Sequence, residues 1–303
     1  MQEMPALKEA LAHVSTLMDQ TLGQLLPIIP PVTPQNLEIP LLEAMRYATL
    51  AGGKRLRAFL VLESSKLFEV PETQALRVAS AIEMVHAFSL THDDLPALDN
   101  ADLRRGKPSC HVNYGESTAI LAGDALHALA FEILASPLTH KNGEVRCLLI
   151  QELAKSTGYE GICGGQIMDI KAEHQQIEME TIVRLEGLKT GSLLAFSARS
   201  GAILGESPEA ALWALDAFAH DFGVVFQITD DLLDLEGTKE EVGKSVGGDA
   251  VLGKATIVNL LGKKAALEHA QMLTNQAIHH LDYFGKKADL LKELTMFLLK
   301  RRS

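Results

Sequence analysis

The placement of proline constrains this fold more than any other feature of the sequence. Of the 11 prolines, those at positions 5, 27, 30, 31, 34 and 40 lie early, and the others stand at 71, 96, 108, 137 and 208. Proline removes a backbone donor and disfavours helix at the residue before it. The stretch 27–40 is therefore predicted to be an extended connector, and the long proline-free segments after it are free to form helices.

Apolar residues in these segments recur with helical periodicity. We predict a helix before residue 26 and others at about 40–52, 54–69, 73–94, 116–136, 143–157, 160–175, 178–204, 208–236, 251–262, 263–283 and 286–301. No strand alternation bounded by Asn-Gly or Asp-Gly turns is evident. The prediction is an all-α fold, a single large helical bundle in one domain over residues 1–303, with the helix and connector of residues 1–40 packed on it.

Composition narrows the functional classes. The net charge of −11 repels a phosphate backbone, which argues against nucleic-acid binding. The three cysteines lie far apart and form no CxxC pair or zinc spacing. An odd, sparse number of cysteines is typical of a reducing cytoplasm. The first residues do not have the basic-then-apolar pattern of a signal peptide, and no uninterrupted apolar run approaches the ~18 residues of a membrane span. These observations predict a cytoplasmic protein without a membrane span.

Two acidic motifs each follow a long apolar helix. The first is Asp93-Asp94-Leu-Pro-Ala-Leu-Asp99 and the second is Asp230-Asp231-Leu-Leu-Asp234. In the second motif the outer carboxylates are one helical turn apart, a spacing at which like charges destabilise a helix unless a cation lies between them. In the first, Pro96 ends the helix, so Asp99 is expected to return from the following turn. A single motif could be a solvated helix end, but two with buried apolar lead-ins indicate a site.

Oxygen-only clusters of this kind favour Mg²⁺, which is held by one or two carboxylates together with waters and substrate phosphates. Zinc is not indicated because no Cys or paired His ligands lie nearby. A di-iron centre would need a Glu-x-x-His pair on two helices, and Glu83-x-x-His86 is the only such spacing in the sequence.

Four local groups could supply cations for a phosphate ligand on this acidic chain. They are the segments 52–57 (Gly-Gly-Lys-Arg-Leu-Arg), 104–107 (Arg-Arg-Gly-Lys), 189–191 (Lys-Thr-Gly) and 243–256 with Lys244 and Lys254. Each alone is more often a solvated loop. Two of them directly follow the acidic motifs, which favours a diphosphate bridged by metal ions and clamped by bases. None matches a nucleotide-binding loop.

In their order along the chain, these motifs resemble those of trans-isoprenyl diphosphate synthases, and most closely those of the bacterial farnesyl diphosphate synthase (geranyltranstransferase) group. The resemblance runs from about residue 40 to 260 and includes 102–106 (Asp-Leu-Arg-Arg-Gly) and 226–234. It implies an all-α homodimer of the isoprenoid synthase type with a central cavity in each chain. The implied activity is condensation of isopentenyl diphosphate with dimethylallyl or geranyl diphosphate.

The resemblance also implies residue roles. Mg²⁺, three ions per site with Mn²⁺ as a substitute, would be held by Asp93, Asp94, Asp99, Asp230 and Asp234, with Asp231 in support. Isopentenyl diphosphate would be held by Lys54, Arg57, His86 and Arg105. The allylic diphosphate would be held by Arg104, Lys189, Thr190, Gln227, Lys244 and Lys254. Gln166 and Asp169 are expected on the metal side, and the basic end 300–302 either closes over substrate or is a solvated tail.

Product length is expected to depend on the floor of the pocket, one to two turns before the first acidic motif. Phe88 should block extension of the chain, whereas the small Ser89 leaves room. The expected product is therefore farnesyl diphosphate.

Several alternatives share part of this pattern. A geranyl or geranylgeranyl diphosphate synthase would differ only in the pocket floor. A class I terpene cyclase normally lacks the second intact acidic motif and the basic site at 54–57. A non-catalytic binder of isoprenoid diphosphates would keep the site without turnover, a regulatory subunit would have lost aspartates, and a phosphohydrolase built on His92 would need further His ligands.

Overall fold

The computed structural model describes residues 4–173, 175, 177–236 and 256–300. Its α-helices are α1 (Pro5–Leu25), α2 (Ile39–Leu50), α3 (Leu56–Leu67), α4 (Glu72–Asp93), α5 (Cys110–Tyr114), α6 (Glu116–Ala135), α7 (Gly143–Thr157), α8 (Ile162–Ala172), α9 (Met179–Glu186), α10 (Ser192–Leu204), α11 (Glu209–Glu236), α12 (Ile257–Leu261), α13 (Lys263–His280) and α14 (Asp289–Lys300). The all-α prediction is confirmed.

The connector between α1 and α2 has the predicted irregular backbone. It runs without helix from the end of α1 to Ile39, and Pro40 lies in the first turn of α2, where its missing donor costs nothing. The proline pattern therefore located this boundary correctly.

The apolar core is continuous from Leu7 on α1 to Leu298 on α14. α4 packs against α6 and α3, α10 packs against α3, and α11 packs against α13 and α10. The largest side chains sealed from solvent include Phe59, Phe218 and Phe222. Within the described ranges, α6 is the one helix that is long and apolar enough to cross a membrane; it packs on α4 and α2, as a core helix would.

Several predicted helix ends are wrong for local reasons. The helix predicted to begin near 54 begins at Leu56, because Arg55 is in the left-handed region (φ 48°). The helix predicted at 160–175 spans only Ile162–Ala172. The segment predicted as one helix at 286–301 begins with a 3₁₀ turn over Leu281–Ala288, in which Gly285 has φ 57° and ends helical geometry.

The helix predicted at 178–204 is interrupted. α9 leads into a π-helical segment at Gly187–Gly191, and α10 follows. A π turn inserts an extra residue into the helix and occurs often at functional sites. This segment carries Lys189 and Thr190, two residues that the resemblance predicts to bind the allylic diphosphate.

Sequence reasoning missed a short antiparallel hairpin and α5. Strands β1 (Leu103–Arg104) and β2 (Lys107–Pro108) pair across a turn in which Arg105 and Gly106 have positive φ. Each strand has only two residues, too few for any alternation pattern to show in the sequence.

Candidate active site

The first acidic motif lies where α4 ends. Asp93 is the last residue of α4, and Asp94 caps the helix. The chain then turns back, so that the backbone N–H of Asp99 donates to the carbonyl of Asp93 at 2.8 Å. The turn expected from Pro96 therefore returns Asp99 to the end of the helix.

Asp93 is in an environment that disfavours its negative charge. Burial raises the pKa of its carboxyl to about 6; nearby Lys189 opposes this shift, and Asp99 adds to it. Crowded carboxylates of this kind gain most from a bound cation, because the cation relieves both the burial cost and the repulsion.

Asp94 is ion-paired in this structure. It is 2% exposed, and Arg104 on β1 donates to both of its carboxylate oxygens, with Nε at 3.0 and 3.2 Å. Burial raises the pKa of Asp94, and the Arg104 hydrogen bonds work against that rise. The hairpin therefore positions Arg104 against the first acidic motif. The predicted roles of Asp94 toward a metal and of Arg104 toward a diphosphate stay predictions.

The second acidic motif lies in the last turns of α11. Asp230 and Asp234 are one turn apart on one continuous helix, as their spacing predicted, and Asp231 and Asp234 are buried. The amide of Gln227 donates to Asp231 Oδ1 at 2.9 Å, so this glutamine orients an acidic side chain. Its expected contact with the allylic diphosphate stays a prediction.

Lys189 is held between the acidic groups by the π segment. Its Nζ lies 2.5 Å from Asp169 Oδ2 on α8. Its positive charge also opposes the rise in the pKa of Asp93 that burial causes. α8 comes close enough for this contact only because Gly165 lacks a side chain; a Cβ there would lie 2.3 Å from the backbone nitrogen of Lys189. The structure thus brings Asp169 and Lys189 together, whereas their expected roles toward the metal and the allylic diphosphate stay predictions.

A second basic group joins α3 and α4. Arg57 Nη1 lies 3.4 Å from Nε2 of His86, and a guanidinium can only donate. Burial and the positive charge of Arg57 hold the pKa of His86 well below its usual value, so the imidazole is neutral. Arg57 also has a buried Nε without a partner among the described residues. Burial lowers the pKa of Arg57, and the negative charge of Asp230 opposes that fall.

The Gly52-Gly53 loop completes this basic group. Gly52 and Gly53 have φ of 82° and 133°, a conformation that side chains resist. The guanidinium of Arg105 lies against them; a Cβ on Gly53 would come within 2.9 Å of its Cζ, and Nη1 donates to the carbonyl of Gly52. Lys54 follows on the exposed side of the loop. The hairpin and the loop thus bring together residues about 50 positions apart.

Two charged residues of this region were not assigned a role from the sequence. Arg55 and Glu83 form a buried ion pair at 2.9 Å beneath the loop. The sequence offered Glu83 only as half of a Glu-x-x-His spacing, because its partner lies 28 residues away.

Other predicted residues lie outside the part of the chain that the structure describes. They are Lys244, Lys254, the predicted helix before Ile257, and the last residues of the basic C-terminal end.

The sequence matches the polyprenyl synthetase family model over residues 39–294. The chain belongs to the polyprenyl synthetase family. The resemblance inferred from the motifs is thus confirmed, and the match covers every site residue assigned above.

Individual relatives of this polyprenyl synthetase agree with that membership. Farnesyl diphosphate synthase of Escherichia coli (strain K12) is 41% identical over 90% of this chain and 92% of its own length. The crystal structure of an FPP/GFPP synthase from Zymomonas mobilis is 42% identical, with a TM-score of 0.87 over 97% of this chain and 99% of that one. Geranylgeranyl diphosphate synthases are also among its relatives, at 39–42% identity.

A geranyltransferase from Helicobacter pylori was solved in complex with magnesium and isoprenyl diphosphate. It is 31% identical, with a TM-score of 0.82 over 99% of this chain and 98% of that one. The carboxylates of the two acidic motifs supply oxygen donors, the kind that Mg²⁺ prefers. Among the described residues, no three His, Cys, Asp or Glu side chains converge on one point. Gln166 also has a buried Oε1 without a partner in the described chain.

The predicted pocket floor packs against α6. Phe88 stacks on His127 with ring centroids 4.8 Å apart and meets the edge of His92 at 4.9 Å. Ser89 donates its hydroxyl to the carbonyl of His86 at 3.0 Å. The Phe88 ring is thus held on two sides, whereas Ser89 contributes little volume.

Proposed function

We propose that this polyprenyl synthetase condenses isopentenyl diphosphate with dimethylallyl or geranyl diphosphate to give farnesyl diphosphate. The observation that carries the proposal is the arrangement of Lys189 and Arg57 among the aspartates. Lys189 pairs with Asp169 and acts on Asp93, and Arg57 is influenced by Asp230. Lys189 thus acts on the first acidic motif and Arg57 senses the charge of the second, an arrangement that suits two diphosphate ligands bound side by side.

The first diphosphate is the leaving group. Asp93, Asp99 and Asp230 would hold Mg²⁺, three ions or Mn²⁺ in their place, supported by Asp94, Asp231 and Asp234. The metal supplies positive charge to the departing diphosphate. Lys189 and Thr190 of the π segment, with Arg104, would hold its oxygens, and burial of the site excludes water from the allylic cation.

The second diphosphate belongs to isopentenyl diphosphate. Arg57, Arg105 and Lys54 would bind it, and neutral His86 would orient Arg57. The carbon–oxygen bond of the allylic diphosphate breaks to leave an allylic cation, and the double bond of isopentenyl diphosphate then attacks this cation. The released diphosphate removes a proton to form the new double bond. The chain's contribution is to hold both substrates at attacking distance.

The pocket floor formed by Phe88 is the basis for proposing a farnesyl product. Its stacking on His127 leaves it little freedom to move aside. A geranylgeranyl product is the second candidate, because the chain is 42% identical to two geranylgeranyl pyrophosphate synthases. A terpene cyclase is less well supported, because it does not need the second basic group. A non-catalytic binder would keep the same site, and turnover separates it from an enzyme.

We further infer a single domain, a homodimer and a cytoplasmic location. The continuous core from α1 to α14 supports the first. Exposed Ile120 (42%) and Leu121 (56%) on α6, with Val112 on α5, offer an apolar face for a second copy. Cysteines that are all free suit a reducing compartment.

Incubation of the purified protein with isopentenyl diphosphate and each allylic starter, with and without Mg²⁺, tests this proposal. The expected result is a fifteen-carbon product that forms only with Mg²⁺, and a loss of about 10²–10³ in kcat for Asp93→Asn, because charge stabilisation of this kind is worth that much. Exposed Asp289→Asn is the control. A product of different length would leave the mechanism standing but reject Phe88 as the floor of the pocket. No condensation with either starter would reject the proposed prenyltransferase activity.

A further inference from the structure

Glu83 lies at the centre of a buried network beneath the basic loop. It is on α4 and 4% exposed. Its Oε2 accepts from Nη1 of Arg55 at 2.9 Å, and its Oε1 accepts from the backbone N–H of Ala58 at 3.3 Å. One carboxylate therefore holds both the residue before α3 and the first turn of α3, where a negative charge is also favoured by the helix dipole.

Both Nη atoms of Arg55 donate within this network, whereas its buried Nε has no partner among the described residues. Besides Glu83, its Nη2 donates to Asp19 Oδ1 on α1 and to the carbonyl of Thr49 at the end of α2, each at 2.9 Å. Its backbone has φ 48°, which an arginine adopts only where its surroundings enforce it. Arg55 thus joins α1, α2 and α4, and its side chain is only 3% exposed.

The network leads directly to the proposed isopentenyl diphosphate residues. Arg57 lies in the first turn of α3, two residues beyond Arg55, and His86 lies one turn beyond Glu83 on α4. Glu83 also acts electrostatically on Arg57 and Arg105. The orientation of Arg57 toward His86 therefore depends on the turn that Glu83 fixes.

We propose that Glu83 is a positioning residue for the second diphosphate subsite, with Asp19 of α1 as its outer anchor through Arg55. The inference rests on the proposed function of Arg57, His86 and Lys54. Glu83 touches no substrate; it sets the start of α3 so that Arg57 meets the diphosphate.

If Glu83 served only to balance charge, neutralising it would change the affinity for diphosphate in the opposite direction. The positive charges of four arginines, Arg55, Arg57, Arg104 and Arg105, act on His86 and help to lower its pKa. If Glu83 only balanced their charge, its neutralisation would make the subsite more positive and bind a diphosphate more tightly. If it positions Arg57, neutralisation weakens binding.

Calorimetric titration of isopentenyl diphosphate into the full-length protein without Mg²⁺ reports the basic subsite. Glu83→Gln keeps the size of the side chain and removes its charge. We expect its dissociation constant for isopentenyl diphosphate to rise roughly tenfold, as loss of an outer group that orients a binding side chain commonly does. The KM for isopentenyl diphosphate should rise alike, whereas binding of geranyl diphosphate with Mg²⁺ should be unchanged.

Glu63→Gln is the matched control. Glu63 is equally buried at 4% exposure and ion-paired with Lys66 on α3, but it has no contact with Arg55. It should lower the thermal midpoint without altering the affinity. Asp19→Asn provides a second variant at a side chain 51% exposed, where folding is not at risk. It should raise the dissociation constant by roughly threefold, the scale of a partly exposed ion pair.

Unchanged or tighter binding in both Glu83→Gln and Asp19→Asn would overturn the positioning role while leaving the proposed subsite intact. If Glu63→Gln also raised the dissociation constant tenfold, the effect of Glu83→Gln would be due to general destabilisation rather than to positioning of Arg57. No binding by the unaltered protein would instead reject the subsite assignment, and this inference with it.

Discussion

At the scale of the residue, the site is built from side chains held in unfavourable states. Arg55 and Arg105 have left-handed backbone conformations, and buried Asp93 has a pKa of about 6. Such features persist only where surrounding contacts over-determine them, and they cluster at functional sites.

Truncation of Phe88 should lengthen the product. Phe88→Ala removes the ring that stacks on His127, so a growing chain can pass the first acidic motif. We expect products longer than farnesyl by one or more isoprene units, measured by mass spectrometry. Phe68→Ala, which removes a ring packed on Phe284 elsewhere in the core, is the control; a shared shift would contradict the floor.

Glu186 should make stability depend on pH. Burial, with Asp231 and Asp169 nearby, raises the pKa of its carboxyl from 4.5 to about 9. Because the folded pKa lies above the unfolded value, the fold keeps the proton that the unfolded chain has lost. Stability therefore falls as pH rises from about 4.5 and levels off above about 9.

Glu186→Gln should remove this dependence. We expect the variant to match the unaltered protein near pH 5 and to be more stable by about 1–3 kcal/mol at pH 9, the cost of a poorly paired buried group. Thermal midpoints across this range, without metal, measure it. Glu180→Gln, on the exposed side of α9, should show no such gap, and parallel curves for Glu186→Gln would refute the prediction.

At the scale of the element, the π segment at Gly187–Gly191 decides how α9 and α10 serve the site. It lies against α8 and α11. α8 approaches through Gly165, and Gly223 of α11 lies near Gly191. A cavity of about 150 Å³ borders the segment and is lined in part by Glu186, Gly191 and Gly223. The segment therefore has tight packing against Gly165 of α8 and free space beside α11.

Gly165→Ala should disturb this segment. Its Cβ would lie 2.3 Å from the backbone nitrogen of Lys189, so backbone must move. We expect a loss of about 1–3 kcal/mol in unfolding free energy, as for other overpacked sites, and a lower kcat because Lys189 is displaced. Gly223→Ala, whose Cβ would make an ordinary 3.5 Å contact with Gly191 Cα, should be tolerated; equal effects would mean that α8 is not the constraint.

At the scale of the whole molecule, one core joins the helix ends that carry the site. α4 and α10 both pack on α3, and α10 packs on α11. The acidic ends of α4 and α11 are thereby held within one rigid framework. α6, apolar nearly all round, packs on α4 and α2 yet leaves Ile120 and Leu121 exposed.

A charge on this exposed face should break the proposed homodimer. Leu121→Glu places a carboxylate where a second copy would bury leucine, so we expect a monomer by sedimentation at concentrations at which the unaltered protein is a dimer. Leu138→Glu, at an exposed leucine after α6, is the control. A dimer that survives Leu121→Glu would move the interface elsewhere.

The sequence alone was sufficient for features set within a few residues. Prolines bounded the connector, apolar periodicity gave the helices, and the spacing of Asp230 and Asp234 put both on one face of α11. The turn after Pro96 was foreseen for the same reason. Backbone sterics and helical period are local, so they can be read from neighbouring positions.

Only the tertiary structure decided which charges meet. Arg104 pairs with Asp94 at a separation of 10 residues, Lys189 with Asp169 at 20, and Arg55 with Glu83 at 28. The hairpin, the π segment and the left-handed arginines carry no local pattern strong enough to predict them. They depend on how closely α3, α4, α8 and α11 approach, and that distance is set by packing of the whole core rather than by any stretch of sequence.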